Sequence, residues 1–192
     1  ALLTVPSGFE YTAQWGSSGS GNSEFQNARG IAVDSASGAV YVADSSNHRI
    51  QKFDADGNFL LAWGQQGSGD GDFLYPRGVA VDSAGNVYVA DSSNNRVQKF
   101  NSSGNFLLKW GYYGTEDGRF HQSMNIAVDA SDDVYVTDLD NHRVQKFDSS
   151  GNFLLKWGSE GTGDGQFNRP YGIAAAPSGD VYVADMNNDR VQ

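Results

Sequence analysis

Short apolar runs separated by glycine-containing turns recur along the whole chain, and their pattern is that of strands. In one stretch, residues 78–82 (GVAVD), 86–91 (NVYVAD), 96–100 (RVQKF) and 105–111 (NFLLKWG) have strand length and strand composition. The links Ser83-Ala84-Gly85 and Asn101-Ser102-Ser103-Gly104 are short and put glycine where a hairpin needs positive φ. Alternation in the fourth run places Phe106, Leu108 and Trp110 on one face, whereas GVAV and VYVA are apolar on both. Strands of the second kind need cover on both sides, which a sandwich with one solvated face does not provide. No 3.6-residue period runs through the chain, so a helical solenoid is excluded.

The four runs form a unit that repeats. Tryptophan falls at Trp15, Trp63, Trp110 and Trp157, spacings of 48, 47 and 47 residues. The same period carries Tyr41, Tyr88, Tyr135 and Tyr182, and Phe25, Phe73, Phe120 and Phe167. It also carries Asp44, Asp91, Asp138 and Asp185, and Arg49, Arg96, Arg143 and Arg190. Residues 86–110 and 133–157 are identical at 19 of 25 positions. A four-stranded antiparallel unit of about 40–50 residues that is buried on both faces describes the blade of a β-propeller. The expected architecture is all-β, a single propeller domain over 1–192 with repeats at roughly 17–63, 64–110, 111–157 and 158–192. Residues 9–16 (FEYTAQWG) match the fourth strand of a blade, and the chain stops at Gln192 inside a third strand. That phasing fits a fragment of a longer array, a four-bladed ring closed by the N-terminal strand, or an open arc that self-associates.

The strings GIAVD (30–34), VYVADSSNHRIQKF (40–53), VYVTDLDNHRVQKF (134–147) and WGQQGSGDGDFLYPRGVAVD (63–82) resemble NHL repeats, and the likeness runs through nearly the whole chain. Asn-His-Arg stands at Asn47-His48-Arg49 and Asn141-His142-Arg143, whereas the other copies read Asn94-Asn95-Arg96 and Asn188-Asp189-Arg190. The resemblance implies a propeller fold, usually of six blades. It implies a binding scaffold more than an enzyme, although the family includes RNA binders and lyases that gather metal-binding histidines around the channel.

Charge and composition narrow the partners. With 13 Lys and Arg against 23 Asp and Glu, the net charge of −10 has the wrong sign for a nucleic-acid surface. The absence of cysteine removes disulfides and thiolate chemistry. No apolar run reaches the length of a membrane span, so membrane insertion is not expected. The chain begins at Ala1 without a signal peptide, which reads as processing or trimming. The three histidines His48, His121 and His142 supply no column of three converging ligands, and no GxSxG elbow or HExxH helix is present. The expectation is a protein that is not an enzyme and holds no metal or cofactor. The acidic links around Gly69-Asp70-Gly71-Asp72, Asp117-Gly118 and Asp164-Gly165 read as turns rather than calcium loops, for want of a bidentate Glu.

Repeated residues build blades. Asp44 with Arg49, Asp91 with Arg96, Asp138 with Arg143 and Asp185 with Arg190 are expected to tie the loop between second and third strands. A single binding site must break the repeat. The segment before each first strand does so: one column reads Arg29, Arg77, Met124, Tyr171, and Asn125 replaces a glycine present in the other copies. His121 and Arg169 lie in the same segments, and Tyr112-Tyr113 replace small polar residues in a link. All belong to the long-loop face around the channel, where guanidiniums and aromatics suit an anionic or amphipathic ligand. Drift at a solvated rim is the competing account. The expected function is recognition of a protein, peptide or glycan by a scaffold that is extracellular or on the cell surface. The alternatives are a self-assembling structural protein and a channel-metal lyase or hydrolase.

Overall fold

The computed structural model describes residues 13–192. β1 (Ser17–Ser18) and β2 (Glu24–Phe25) form a short parallel pair ahead of the first blade. Blade 1 contains β3 (Ala28–Val33), β4 (Val40–Asp44), β5 (Arg49–Phe53) and β6 (Phe59–Trp63). Blade 2 contains β7 (Pro76–Val81), β8 (Val87–Asp91), β9 (Arg96–Phe100) and β10 (Phe106–Trp110). Blade 3 contains β11 (Ser123–Val128), β12 (Val134–Asp138), β13 (Arg143–Phe147) and β14 (Phe153–Trp157). Blade 4 contains β15 (Pro170–Ala175), β16 (Val181–Asp185) and β17 (Arg190–Val191), so among the described residues it has three strands. Each sheet is an antiparallel meander in chain order, and the four are arranged as the blades of a propeller. Of the strand expected over 9–16, residues 9–12 lie outside the described residues and residues 13–16 belong to no strand. No helix among the described residues is long and apolar enough to cross a membrane.

The core lies between blades rather than within them. Tyr41 and Ile50 of blade 1 pack with Phe73, Val79, Val87, Val89 and Phe100 of blade 2. Tyr88 and Val97 of blade 2 pack with Phe120, Ile126, Val136 and Phe147 of blade 3. This arrangement explains why the second strands are apolar on both faces: β4, β8 and β12 are buried at every position. The outermost strands alternate, with Phe106, Leu108 and Trp110 partly covered and Leu107 and Lys109 exposed. Trp63 packs at a tilt against Phe100 of the next blade, ring centres 5.7 Å apart, and Trp110 does so against Phe147 at 5.6 Å. Trp15 stands in the same relation to Phe53, at 6.0 Å.

Two local features differ from the sequence expectation. The second and third strands are joined by a 3₁₀ turn that ends on a left-handed residue, His48, Asn95, His142 or Asp189 (φ 51–56°). The inner strand begins two residues before Gly78 and carries a bulge: Pro76 pairs with Asp91 and Val79 with Val89, three residues against two. The same extra residue stands in β3, β11 and β15. A bulge bends the strand and re-aims its side chains. Here it falls on the rim column that breaks the repeat.

Candidate binding site at the channel mouth

The loops that carry the rim are held by a polar lock that occurs four times. In blade 2, Asp91 ends β8, and its Oδ1 accepts from the Leu74 N–H at 2.8 Å. Its Oδ2 accepts from Arg96 Nε (2.7 Å), Asn94 Nδ2 (2.9 Å) and Gln98 Nε2 (3.1 Å). The Arg96 guanidinium then donates to the carbonyls of Ser68, Gly69 and Asp72, and Gln98 donates to Asp72 O while accepting from Gly71 N. Asp44 with Arg49, Asp138 with Arg143 and Asp185 with Arg190 make the same Nε–Oδ2 contact at 2.7–2.8 Å. The pair therefore clamps the long blade-to-blade link onto the loop between strands two and three. Burial drives the carboxyls of Asp91 and Asp138 above the usual range, against the pull of their hydrogen bonds and arginines. The glutamines Gln51, Gln98 and Gln145 are fully buried members of the lock. Sequence reasoning missed them, although Gln51, Gln98, Gln145 and Gln192 keep the repeat period as strictly as the aspartates.

The four inner strands start around one end of the central opening. There Arg29, Gly30, Arg77, Met124, Asn125 and Tyr171 line a cavity of about 40 Å³, room for roughly one water-sized group. Arg29 Nη1 donates to Tyr171 Oη at 2.9 Å and so joins blade 1 to blade 4 across the opening. Arg77 Nη1 lies 3.0 Å from Met124 Sδ, a weak acceptor, and Arg77 Nε is buried without a hydrogen-bond partner among the described residues. Neither Arg29 nor Arg77 is in an ion pair among the described residues, although the chain carries ten more acids than bases.

Arg77 also borders a second groove with Tyr113, His121, Gln122, Ser93 and Asn95. Tyr113 meets His121 edge-on at 5.0 Å. Asp140 joins His121 (3.7 Å) to Arg169 (2.9 Å), so Arg169 belongs to this side of the mouth as an already paired cation. Tyr112 turns away and lies against the Arg119 guanidinium at 4.3 Å. Asn125 is partly committed to its own backbone: its Oδ1 accepts from Ile126 N, and its N–H donates to Thr137 Oγ1. Thr137 in turn donates to Tyr171 O at 2.9 Å. Thr137 stands where the other copies have alanine, a departure that sequence reasoning passed over, and it forms one connected set with Asn125.

The histidines of the Asn-His-Arg copies have structural partners. His48 Nδ1 accepts from Tyr75 N (3.1 Å) and His142 Nδ1 from Arg169 N (3.3 Å), while Asn95 Oδ1 accepts from Gln122 N (2.8 Å). Asparagine serves the same end, which explains why histidine is dispensable at this position. Among the described residues, no group of three His, Cys, Asp or Glu side chains is placed to hold a metal. Asp70 and Asp117 of the acidic links are paired with Lys109 and Lys156.

A propeller of clamped blades with a symmetry-breaking mouth is the class of protein these features define. The sequence profile of the NHL repeat matches residues 25–53, 73–100, 126–147 and 167–192, more than half of the chain, and the chain belongs to the NHL-repeat family. It is 52% identical over 46 residues to the protein lin-41 of Caenorhabditis elegans, a match covering 24% of this chain and 4% of that protein. Among solved structures it is similar to a streptogramin B lyase (TM-score 0.65, 15% identity, 85% of this chain and 50% of that one). It also resembles a chain of a nidogen/laminin complex (TM-score 0.63, 19% identity, 87% and 59%). A third likeness is to an auxiliary nutrient binding protein from Bacteroides thetaiotaomicron (TM-score 0.66, 16% identity, 86% and 47%). The chain thus spans about half the length of these structures, and at such identities the likeness is one of fold.

Proposed function

We propose that this protein is a binding module, not an enzyme, and that it recognises a protein or peptide partner through the channel mouth on its long-loop face. The observation that carries the reading is the pair Arg29 and Arg77. Two guanidiniums that have no carboxylate partner among the described residues stand beside a cavity that admits a single small group, lined also by Met124 and Tyr171. A carboxylate of an aspartate, glutamate or chain terminus matches that arrangement in charge, size and hydrogen bonding. Tyr113 and His121 extend the surface sideways for further side chains. The nidogen/laminin structure offers a precedent in fold for a protein partner.

The roles of the histidines support a non-catalytic reading, since His48 and His142 are spent on junctions between blades. An extracellular or cell-surface location belongs to the same proposal and rests on the Gly-, Ser- and Asn-rich turns. Peptide-array screening of the wild type and of the Arg29→Ala/Arg77→Ala double variant tests the site. The wild type should select peptides with an exposed carboxylate, and the double variant should lose them while its thermal stability shifts by no more than about 0.5 kcal/mol. Unchanged peptide selection by the double variant would refute the assignment.

A further inference from the structure

We propose that the groove beside Arg77, at the junction of blades 2 and 3, is a second subsite that selects an acidic side chain of the peptide whose carboxylate enters the channel mouth. The assignment rests on the reading of that mouth as a carboxylate site. At the other two junctions the corresponding positions are taken by paired side chains. Between blades 1 and 2, His48 and Tyr75 meet edge-on with ring centres 4.6 Å apart. Between blades 3 and 4, Asp140 and Arg169 form an ion pair at 2.9 Å. At the middle junction the repeat places Asn95 and Gln122 where His48 and Tyr75 stand, and Ser93 and Gln122 where Asp140 and Arg169 stand. Neither kind of pair forms there, and a groove of about 320 Å³ lies between the blades, lined also by Arg77, Tyr113 and His121. It belongs to the two blades that have a neighbour on each side, away from both ends of the chain.

The lining offers hydrogen-bond donors and contains no carboxylate. Asn95 Oδ1 is engaged by the Gln122 N–H at 2.8 Å, which leaves Asn95 Nδ2 and the Gln122 side-chain amide without partners among the described residues. Asp140, which approaches His121, is already held by Arg169. A lysine or arginine of the ligand would therefore meet the Arg77 guanidinium with no acid in the lining to offset it. An aliphatic side chain would take water from the amides and return no hydrogen bond. A carboxylate accepts from Arg77 and from the amides together, and charge-assisted hydrogen bonds of this kind are the strong ones. Arg77 borders both the groove and the 40 Å³ cavity that it shares with Arg29. One guanidinium thus joins two sites for negative charge, and the ligand that fits both is a peptide with two acidic groups.

The chain supplies its own closed versions of the groove. Asn95→His/Gln122→Tyr copies the first junction, where both positions have the same left-handed backbone (φ 56° and 51° against 54° and 60°), so the exchange adds no strain. Ser93→Asp/Gln122→Arg copies the ion pair of the third. Circular dichroism and thermal melting verify that each double variant is folded. The probe is an array of peptides with a fixed glutamate and a free C-terminus, every other position being varied through Asp, Asn, Leu and Lys. The control has glutamine, an amidated end and no other acid. The wild type should reject the control and, at one varied position, prefer Asp to the other three by about tenfold. Both variants should still reject the control but lose the preference at that position. Equal capture of the control, or capture of no peptide, would refute the carboxylate reading of the mouth and the subsite with it. Rejection of the control without a preference for Asp at any position, or a preference that survives in both variants, would overturn the subsite alone.

Discussion

At the scale of residues, the same chemical group meets different surroundings in each blade, and this turns the repeat into an internal control. The lock aspartates have side chains that are 0% exposed, but their arginines differ: Arg96 is 7% exposed and Arg190 27%. Removing the carboxylate strands a buried cation in blade 2 and a partly hydrated one in blade 4. Asp91→Ala should therefore cost about 3–5 kcal/mol. Asp185→Ala should cost less, about 1–2 kcal/mol, and chemical denaturation of the two variants measures the difference. A second group titrates. Burial pushes the Asp82 carboxyl up, but Asn86, the Tyr88 hydroxyl and Lys99 outweigh it and hold it below the ordinary 3.8. A depressed folded value means that the group's stabilisation is complete above 3.8 and is lost as the pH falls through the folded value. Asp82→Asn should accordingly destabilise at neutral pH, and that effect should shrink as the pH falls below 3.8 and through the depressed folded value. An effect that stays the same throughout the acid titration would show that the charge on Asp82 does not contribute.

At the scale of elements, the blade was legible in the sequence and its joints were not. Strands such as 96–100 are found where the apolar pattern puts them, because burial on both faces leaves no freedom in which residues face inward. The bulge at Arg77-Gly78 was hidden because an extra residue in one strand leaves no mark on the alternation of a short apolar run. The Asp and Arg of the lock were recognisable as a charged pair, whereas their uncharged member Gln98 was passed over despite equal periodicity. The rim residues were found by their departure from the repeat. Their connections were out of reach, since Arg29 and Tyr171 lie 142 positions apart. The column of inner-strand glycines has a physical reason of its own. A Cβ on Gly78 would come within 2.7 Å of the Asn125 Cα in the neighbouring blade, whereas one on Gly172 would meet only Ala184 Cβ at 3.5 Å. Gly78→Ala should push blades 2 and 3 apart and cost about 1–3 kcal/mol. Gly172→Ala should stay within about 0.5 kcal/mol. Equal melting temperatures for the two variants would remove close approach as the reason for glycine.

At the scale of the whole molecule, four nearly identical units are unequal because of what each one touches. In a repeat array stability is close to a sum of unit and junction contributions, so a unit flanked on both sides is held better than one flanked on one side. Blades 2 and 3 each have two junctions, and β8 and β9 are buried at every residue. Blade 1 exposes Ile31 and Val33 of its inner strand, and blade 4 exposes Tyr182 and Val191. The difference cannot come from sequence, since VYVAD stands in β4, β8 and β16 alike. Amide hydrogen exchange reads local opening directly. At low protein concentration the amides of β8 and β9 should exchange most slowly, and those of β16 and β17 many times faster. Equal protection of all four blades in dilute solution would contradict the additive picture and point to a molecule that opens as a single cooperative body.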